Sequence, residues 1–155
     1  MSDEDWMKRA LDLARGSIAK GGGPFGAVIV RDGRIVAEGT NAVTSTPDPT
    51  AHAEVVAIRA AALALGNFDL AGCAIYTSCE PCPMCLGAIY WARLDRIWFA
   101  ATRDDAAAAG FDDEFLYREI PKPLTERLIP TARLALAETD AVFRAWAESP
   151  NKIPY

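Results

Sequence analysis

The sequence predicts an α/β fold in a single domain, residues 1–155, and three observations lead to that prediction. Short apolar runs rich in β-branched residues alternate with longer segments in which apolar residues recur at three- and four-residue intervals. The length of 155 residues suits one domain with a sizeable core. Hydrophobic residues make up 51% of the chain and charged residues 24%, a composition typical of globular proteins and not of disordered or fibrous ones.

The first elements are a helix and a β-hairpin. Apolar residues share one face over residues 2–20, which predicts an amphipathic helix with a cap at its first residues. Residues 25–31 and 34–41 are short β-branched runs, and Asp32-Gly33 between them is a strong hairpin signal. The first two strands are therefore predicted to be antiparallel.

A helix, a strand, a helix and a strand follow. The segment 51–65 has apolar residues on one face and Gly66 as a stop signal, so it predicts a helix. Residues 74–77 have the pattern of a buried strand, 81–92 that of a helix, and 96–101 that of another strand. Strand–helix–strand order favours parallel pairing of these two strands.

The last third of the sequence is less regular. An Asp- and Ala-rich connection over 102–115 precedes an alternating segment, 132–138, that predicts another strand. Residues 140–147 predict a last helix, and the tail 149–155 is polar and contains two prolines.

Charge and hydropathy exclude some classes of partner. Lys and Arg number 16 against 21 Asp and Glu, a formal net charge of −5, which disfavours binding to nucleic acid or to anionic membranes. The longest apolar stretches, such as 85–92, are far shorter than the roughly 20 residues that span a bilayer, and the acidic start lacks a signal-peptide run. We therefore expect a cytoplasmic protein with a small-molecule ligand.

Four residues form a candidate metal site with a proton carrier. The only histidine, His52, precedes Glu54 by two positions, and Cys82 and Cys85 follow Pro81 at the start of a predicted helix in which Pro81 suits the first position. A helix N-terminus lowers thiol pKa values, so both cysteines can present thiolates to a metal. One imidazole and two thiolates form a three-ligand zinc set that leaves one tetrahedral position for water. Zinc lowers the pKa of such a water to about 7, and the Glu54 carboxylate can carry its proton to a leaving amine.

The spacing of His52 and Glu54 needs a specific backbone. Residues two positions apart in a regular helix point to nearly opposite sides, so helical phasing alone does not bring both side chains to one metal. We therefore expect His52 in the first turn, near a cap at 48–50, where the chain is still entering the helix.

A closed structural site is the main alternative. Cys79, Cys82, Cys85 and His52 would form a Cys₃His site with no open position, and the protein would then be a zinc-stabilised interaction domain without catalysis. A lone Cys-x-x-Cys pair could also be redox active. Cys73 is most simply a small buried residue beside a strand.

The joint pattern is the signature of a known class of enzyme. His-x-Glu followed by Pro-Cys-x-x-Cys is typical of zinc-dependent nucleobase deaminases. The chain resembles the cytidine-deaminase-like superfamily over nearly its full length and, within it, the bacterial guanine deaminases. Four stretches carry this resemblance: GGPFGAVIV, DPTAHAE, YTSCEPCPMCLGAIYWAR and AGFDDEF.

The resemblance implies a fold and a catalytic centre. The implied fold is a three-layer α/β/α sandwich around a five-stranded mixed sheet. One Zn²⁺ per chain is implied on His52, Cys82 and Cys85, with Glu54 as the proton shuttle. The implied assembly is a homodimer in which the tail, about 148–155, crosses to the second subunit.

The resemblance also implies which side chains contact the substrate: Asn41, Asp113, Phe25 and Tyr155. Asn41 can both donate and accept hydrogen bonds at a base edge, and Asp113 can accept from the N–H groups of guanine. An aromatic ring such as Phe25 can pack on the face of a purine.

The activity that the resemblance implies is hydrolytic deamination of guanine to xanthine and ammonia, with the purine and water as substrates. Guanosine and tRNA adenosine deaminases of the same superfamily share the zinc chemistry and are the alternatives. RNA binding normally needs a basic stripe, and residues 116–155 contain six Lys or Arg against five Asp or Glu. Nucleic acid is therefore a disfavoured partner.

Overall fold

In the computed structural model, which describes residues 1–155, the chain forms two units, Met1–Asp113 and Glu114–Tyr155. The first unit contains a four-stranded mixed sheet, and the second contains helices and irregular chain. The strands are β1 (Gly26–Arg31), β2 (Arg34–Thr40), β3 (Ala74–Cys79) and β4 (Arg96–Ala101), in the order β2-β1-β3-β4.

The pairing of the strands follows the sequence prediction closely. Strand β1 is antiparallel to β2 and to β3, whereas β3 and β4 are parallel. Asp32 and Gly33 form the hairpin turn between β1 and β2 with φ values of 50° and 69°. Both values lie in the left-handed region, as a type I′ turn requires. The predicted hairpin and the predicted parallel pair are confirmed.

Four helices accompany the sheet in the first unit: α1 (Asp3–Ala19), α2 (Ala53–Leu65), α3 (Pro83–Trp91) and α4 (Arg103–Ala108). Strand β1 separates two cores because its residues alternate between the faces of the sheet. Ala27 and Ile29 belong to the core that contains residues of α2 and α3. Val28 and Val30 belong to the core that contains residues of α1. Helices thus cover both faces of the sheet, as a three-layer α/β/α arrangement requires.

The predicted fifth strand over 132–138 is wrong, and with it the five-stranded sheet. Residues 132–136 have no regular structure, and 137–138 form a turn. Leu134 and Leu136 are both exposed, so the alternation has no buried face to fill. The Leu136 N–H donates to the Thr139 side chain at the start of a helix, not to a strand ladder.

The second unit contains two helices, α5 (Glu114–Glu119) and α6 (Thr139–Glu148), and a short 3₁₀ helix over 124–126. The sequence predicted α6 to within one residue at each end but missed α4 and α5, because each spans only six residues. In neither unit is a helix long and apolar enough to cross a membrane.

Candidate active site

The ligand atoms of His52, Cys82 and Cys85 lie within 4.8 Å of one another. The Nδ1 atom of His52 is 3.6 Å from the Cys82 sulfur and 3.5 Å from the Cys85 sulfur. Zinc bound tetrahedrally, with Zn–S near 2.3 Å and Zn–N near 2.0–2.1 Å, would separate its N and S ligands by about 3.6 Å. The three side chains therefore fit a zinc ion.

The start of α3 brings the two cysteines together. Cys82 is the N-cap residue, with extended φ and ψ of −66° and 167°, and Cys85 is the third residue of the helix. An N-cap side chain faces the third helical residue, so a Cys-x-x-Cys pair at this position points both sulfurs to one place. The proline at the first helical position is Pro83, so the prediction that Pro81 occupies it is wrong.

His52 occupies the same position on α2. It is the N-cap residue, with extended φ and ψ of −68° and 154°. The expectation that the chain is still entering the helix at His52 is confirmed, but the cap is His52 itself and not residues 48–50. Gly39 of β2 allows the start of α2 to pack against the sheet, because a Cβ atom at this position would overlap the Ala53 carbonyl oxygen.

The charges within the cluster suit a divalent cation. A hydrogen bond from Cys85, together with the His52 ring, lowers the pKa of the Cys82 thiol to about 4. The hydrogen bond with Cys82 in turn raises the pKa of His52. Zinc binds thiolates and neutral imidazole. Cys82 is thus already prepared as a thiolate ligand, and Cys85 becomes one by releasing its proton.

Glu54 lies beside this cluster and is almost completely buried, with 8% of its surface exposed. Burial raises the pKa of its carboxyl group, and its side chain interacts with Cys85. A buried carboxylate with a raised pKa beside a metal site has the properties of a general acid and base.

Cys79 is not part of the cluster. Its thiol donates to the Thr102 carbonyl oxygen at 3.6 Å, and burial raises its pKa to about 11. A protonated thiol with its own acceptor is a poor zinc ligand. The geometry therefore favours an open three-ligand site over the closed Cys₃His alternative.

Asn41 follows β2 and lies close to the start of α2. The Ala42 N–H donates to the Ala51 carbonyl, which holds Asn41 near the residue that precedes His52. The Asn41 side-chain oxygen accepts from the Val43 N–H at 3.2 Å. The side-chain NH₂ group therefore remains as a donor for a ligand.

Phe25 and Asp113 also lie in the first unit. The Phe25 ring packs edge-to-face on Phe111, with ring centroids 4.9 Å apart. Burial and the Cys82 thiolate raise the pKa of Asp113, which indicates that its carboxyl group is close enough to interact with the metal cluster. Tyr155 lies in the second unit, where its side chain is exposed.

Two side chains that hold the backbone near the cysteine motif, those of Ser78 and Glu80, were not predicted from the sequence. The side chain of Glu80 accepts from the Arg103 N–H at 3.2 Å, and the Ser78 hydroxyl accepts from the Gly26 N–H at 3.0 Å. Ser78 immediately precedes the segment 79–82 that leads into α3, and Glu80 lies within it. Their only sequence signal is adjacency to the cysteine motif, which does not reveal an acceptor role.

Comparison with known proteins places these residues in a family. The family described as cytidine and deoxycytidylate deaminase zinc-binding region matches residues 1–101. Guanine deaminase from Bacillus subtilis is 56% identical over 156 residues, which cover all of this chain and all of that protein. Its X-ray structure matches with a TM-score of 0.98 and covers 100% of this chain and 99% of that chain.

Two further relatives match a smaller part of the chain. The tRNA-specific adenosine deaminase of Haemophilus influenzae is 43% identical over 117 residues, which cover 72% of this chain and 68% of that protein. The structure of guanine deaminase from Nitrosomonas europaea is 36% identical with a TM-score of 0.70, and the match covers 80% of this chain and 69% of that chain.

Proposed function

The chain belongs to the cytidine and deoxycytidylate deaminase family, and from this premise we propose that it hydrolyses guanine to xanthine and ammonia. The observation that carries the reaction type is the open cluster of His52, Cys82 and Cys85 with the buried carboxylate of Glu54 beside it. The choice of guanine follows from the full-length similarity to the Bacillus subtilis guanine deaminase.

Zinc is the cofactor, and its ligands are His52, Cys82 and Cys85. When bound there, the ion supplies the Lewis acidity that activates water at neutral pH. Cys82 and Cys85 lie at the start of α3, and His52 lies at the start of α2. The N-termini of both helices therefore direct partial positive charge at the thiolates.

Glu54 moves the protons of the reaction. Its carboxylate takes a proton from the water that attacks C2 of guanine and delivers it to the ring nitrogen next to C2. It then takes the remaining proton of the hydroxyl group on C2 and gives it to the amino group, which leaves as ammonia as the C–N bond breaks and the C2=O bond forms. General acid and base catalysis of this kind contributes about 10²- to 10⁴-fold. Burial raises the pKa of the Glu54 carboxyl group toward neutral pH. The group can therefore both accept a proton from water and donate one to the purine at neutral pH.

Three side chains of the first unit hold the purine. The Asn41 NH₂ group donates to an acceptor on the base, because its oxygen is already bonded to Val43. The Asp113 carboxylate accepts from the N–H groups of guanine. The Phe25 ring packs against the base and excludes water from it.

The active protein is a homodimer in which residues 1–155 form one catalytic domain per chain. The tail, about 148–155, crosses to the second copy and places Tyr155 at the purine there. The exposed apolar residues of α6 support association, because Val142 and Phe143 need a surface to cover them. The four cysteines are all free, which suits the reducing environment of the cytoplasm.

Deamination of adenosine in tRNA is the second candidate, since a tRNA-specific adenosine deaminase also matches the chain. It is the weaker candidate because that match covers 72% of the chain and the chain carries a net charge of −5.

A substrate panel tests the proposal. Zinc content and ammonia release are measured for guanine, guanosine, adenine, cytosine and a tRNA anticodon stem-loop. We expect one zinc ion per chain. We also expect ammonia release at an appreciable rate from guanine and from none of the other four compounds. Release from the stem-loop with none from guanine would replace the proposed substrate with RNA.

A further inference from the structure

Phe111 contacts one of the proposed purine-binding residues and lies two positions before another. Its ring meets the Phe25 ring at an interplanar angle of 86° with centroids 4.9 Å apart. This edge-to-face arrangement is favoured between aromatic rings, because the positive edge of one faces the negative face of the other. The pair therefore joins the chain before β1 to the chain after α4.

Phe25 is coupled to Asn41 on its other side. The Asn41 N–H donates to the Phe25 carbonyl oxygen at 3.1 Å. A Cβ atom at Gly23 would lie 3.2 Å from the Asn41 side chain and 3.3 Å from the Phe25 ring. Both side chains thus lie close to the space that Gly23 leaves open. The backbone hydrogen bond between Asn41 and Phe25 therefore ties the position of one residue to that of the other.

Phe111 is held in place by the end of α4. Gly110 has a φ of +94°, in the left-handed region, and the Phe111 N–H donates back to the Ala106 carbonyl at 2.9 Å. These are features of a Schellman helix end. Asp113 follows two residues later, so the contact of the Phe111 ring with Phe25 helps to set where this segment leaves the helix.

The first residues of α4 are hydrogen-bonded to Glu80 in the segment 79–82, which leads into α3 and contains the ligand Cys82. The Glu80 carboxylate accepts from the Arg103 N–H, and the Glu80 N–H donates to the Ala101 carbonyl at 2.8 Å. Thr102 and Asp105 form a capping box at the same end. With this end attached near Cys82, the Phe111 contact attaches the far end of the helix to Phe25.

We propose that Phe111 is a positioning residue for guanine deamination: its contact with Phe25 fixes the spacing between Asn41 and Asp113. This inference rests on the proposed function, because the spacing matters only if both groups hold the same purine. The Phe111 side chain is 45% exposed, so its removal takes little from the core. The expected effect is therefore on substrate binding and orientation, not on folding.

The first test compares Phe111→Ala with a matched control. Phe68 has a similarly exposed ring, 48%, and lies 6.0 Å from the Arg93 guanidinium. Misplacement of a substrate group by about 1 Å can cost up to about 10²-fold, so Phe111→Ala should lower kcat/KM for guanine about 10- to 100-fold. Phe68→Ala should leave it unchanged, and Phe111→Tyr, which keeps the ring, should restore it. Zinc content should be equal in all variants.

A double-mutant cycle separates positioning from general structural damage. If Phe111 acts through Asp113, then Phe111→Ala should add less than about a factor of two to the loss caused by Asp113→Ala alone. Equilibrium dialysis of labelled guanine against the zinc-loaded Glu54→Gln chain gives a second readout that needs no turnover. Adding Phe111→Ala to that chain should weaken guanine binding.

Several outcomes would overturn the inference. Unchanged guanine kcat/KM in Phe111→Ala, or full additivity with Asp113→Ala, would show that Phe111 does not act through the purine contacts. If the alanine variant is too unstable to purify, Phe111→Leu replaces it, because leucine keeps most of the bulk but lacks the ring. An unchanged guanine kcat/KM in Phe111→Leu would then contradict the inference. Failure of the proposed function has a different signature, because the unaltered zinc-loaded chain would then release no ammonia from guanine.

Discussion

The two units of the chain differ in what they do with their apolar side chains. In Met1–Asp113 the sheet and its helices bury residues such as Ile29, Ile75 and Ile89 almost completely. In Glu114–Tyr155 no residue is buried. Large apolar side chains there stay exposed, among them Leu128, Leu134, Phe143 and Trp146.

This difference assigns separate tasks to the units. The first unit has its own core and also holds the zinc ligands, Glu54 and Asp113, so the chemistry common to the family resides in it. A segment of about 40 residues without a core seldom folds stably by itself. The absence of buried residues in the second unit is the observation that motivates the association with a second copy proposed above.

The largest effect should come from the zinc ligands. Cys82→Ala should lose metal and activity together, because an open three-ligand site cannot spare a thiolate. Cys79→Ala is the matched control, and it should keep one zinc per chain, since the Cys79 thiol is directed to the Thr102 carbonyl. Metal analysis after purification and an ammonia assay measure both. If Cys79→Ala also strips the zinc, the closed site is correct.

Glu54→Gln should separate metal binding from catalysis within the first unit. The amide keeps the shape of the side chain but cannot carry the proton, so zinc should remain while turnover falls at least about 10²-fold. Glu4→Gln, an exposed change on α1, should leave both unchanged. Near-normal turnover in zinc-replete Glu54→Gln protein would remove Glu54 from the mechanism.

The sequence predicted the first unit better than the second, and the reason is physical. Buried strands and helices leave apolar runs or apolar residues at helical spacing, which is why β1, buried at five of its six residues, was predicted to within one residue. The segment 132–138 has the alternation of a strand but no neighbouring strand to pair with, and alternation alone does not reveal pairing. Tyr155 was identified by resemblance alone, since nothing in the residues of the tail indicates what it contacts.

The residues of the site also divide into those that the sequence predicts and those that it does not. His52, Cys82 and Cys85 could be predicted because metal ligands need particular side chains at particular spacings. Glu80 and Phe111 could not, because a carboxylate that accepts a backbone N–H and a ring that packs on another ring have no required spacing. Such contacts depend on the tertiary fold.

Removing the tail tests the role proposed for the second unit. Deletion of 151–155 should lower guanine turnover about tenfold, because about one hydrogen bond to the substrate is lost. The zinc content and the folding of each chain should stay unchanged. Mixing this truncated chain with full-length Glu54→Gln chain should restore one working site per mixed dimer. Verified mixed dimers that are no more active than the truncated chain alone, or a truncated chain with full activity, would contradict an exchanged tail.

The smallest effect concerns the stability that the first unit derives from its own contacts. Arg9 of α1 donates to both carboxylate oxygens of Glu38 on β2, at 2.6 and 2.8 Å. These hydrogen bonds lower the pKa of Glu38 from its ordinary value of 4.5. A carboxyl group whose pKa is lower in the folded than in the unfolded chain stabilises the fold above the unfolded value. That contribution is lost as the pH falls through the folded pKa. Because both side chains are partly exposed, Glu38→Gln should cost about 0.2–1 kcal/mol at pH 7.

The difference between Glu38→Gln and the unaltered chain should shrink as the pH falls below about 4.5, because Glu38 then takes up its proton in the unfolded chain before it does so in the folded chain. Urea unfolding at intervals between neutral and acidic pH measures it, and comparison at each pH cancels effects common to both chains, including any loss of zinc. Glu4→Gln is again the control, because Glu4 and its partner Lys8 are largely exposed and 4.0 Å apart. A difference that stays constant, or grows toward acidic pH, would show that the pair with Arg9 does not stabilise the first unit.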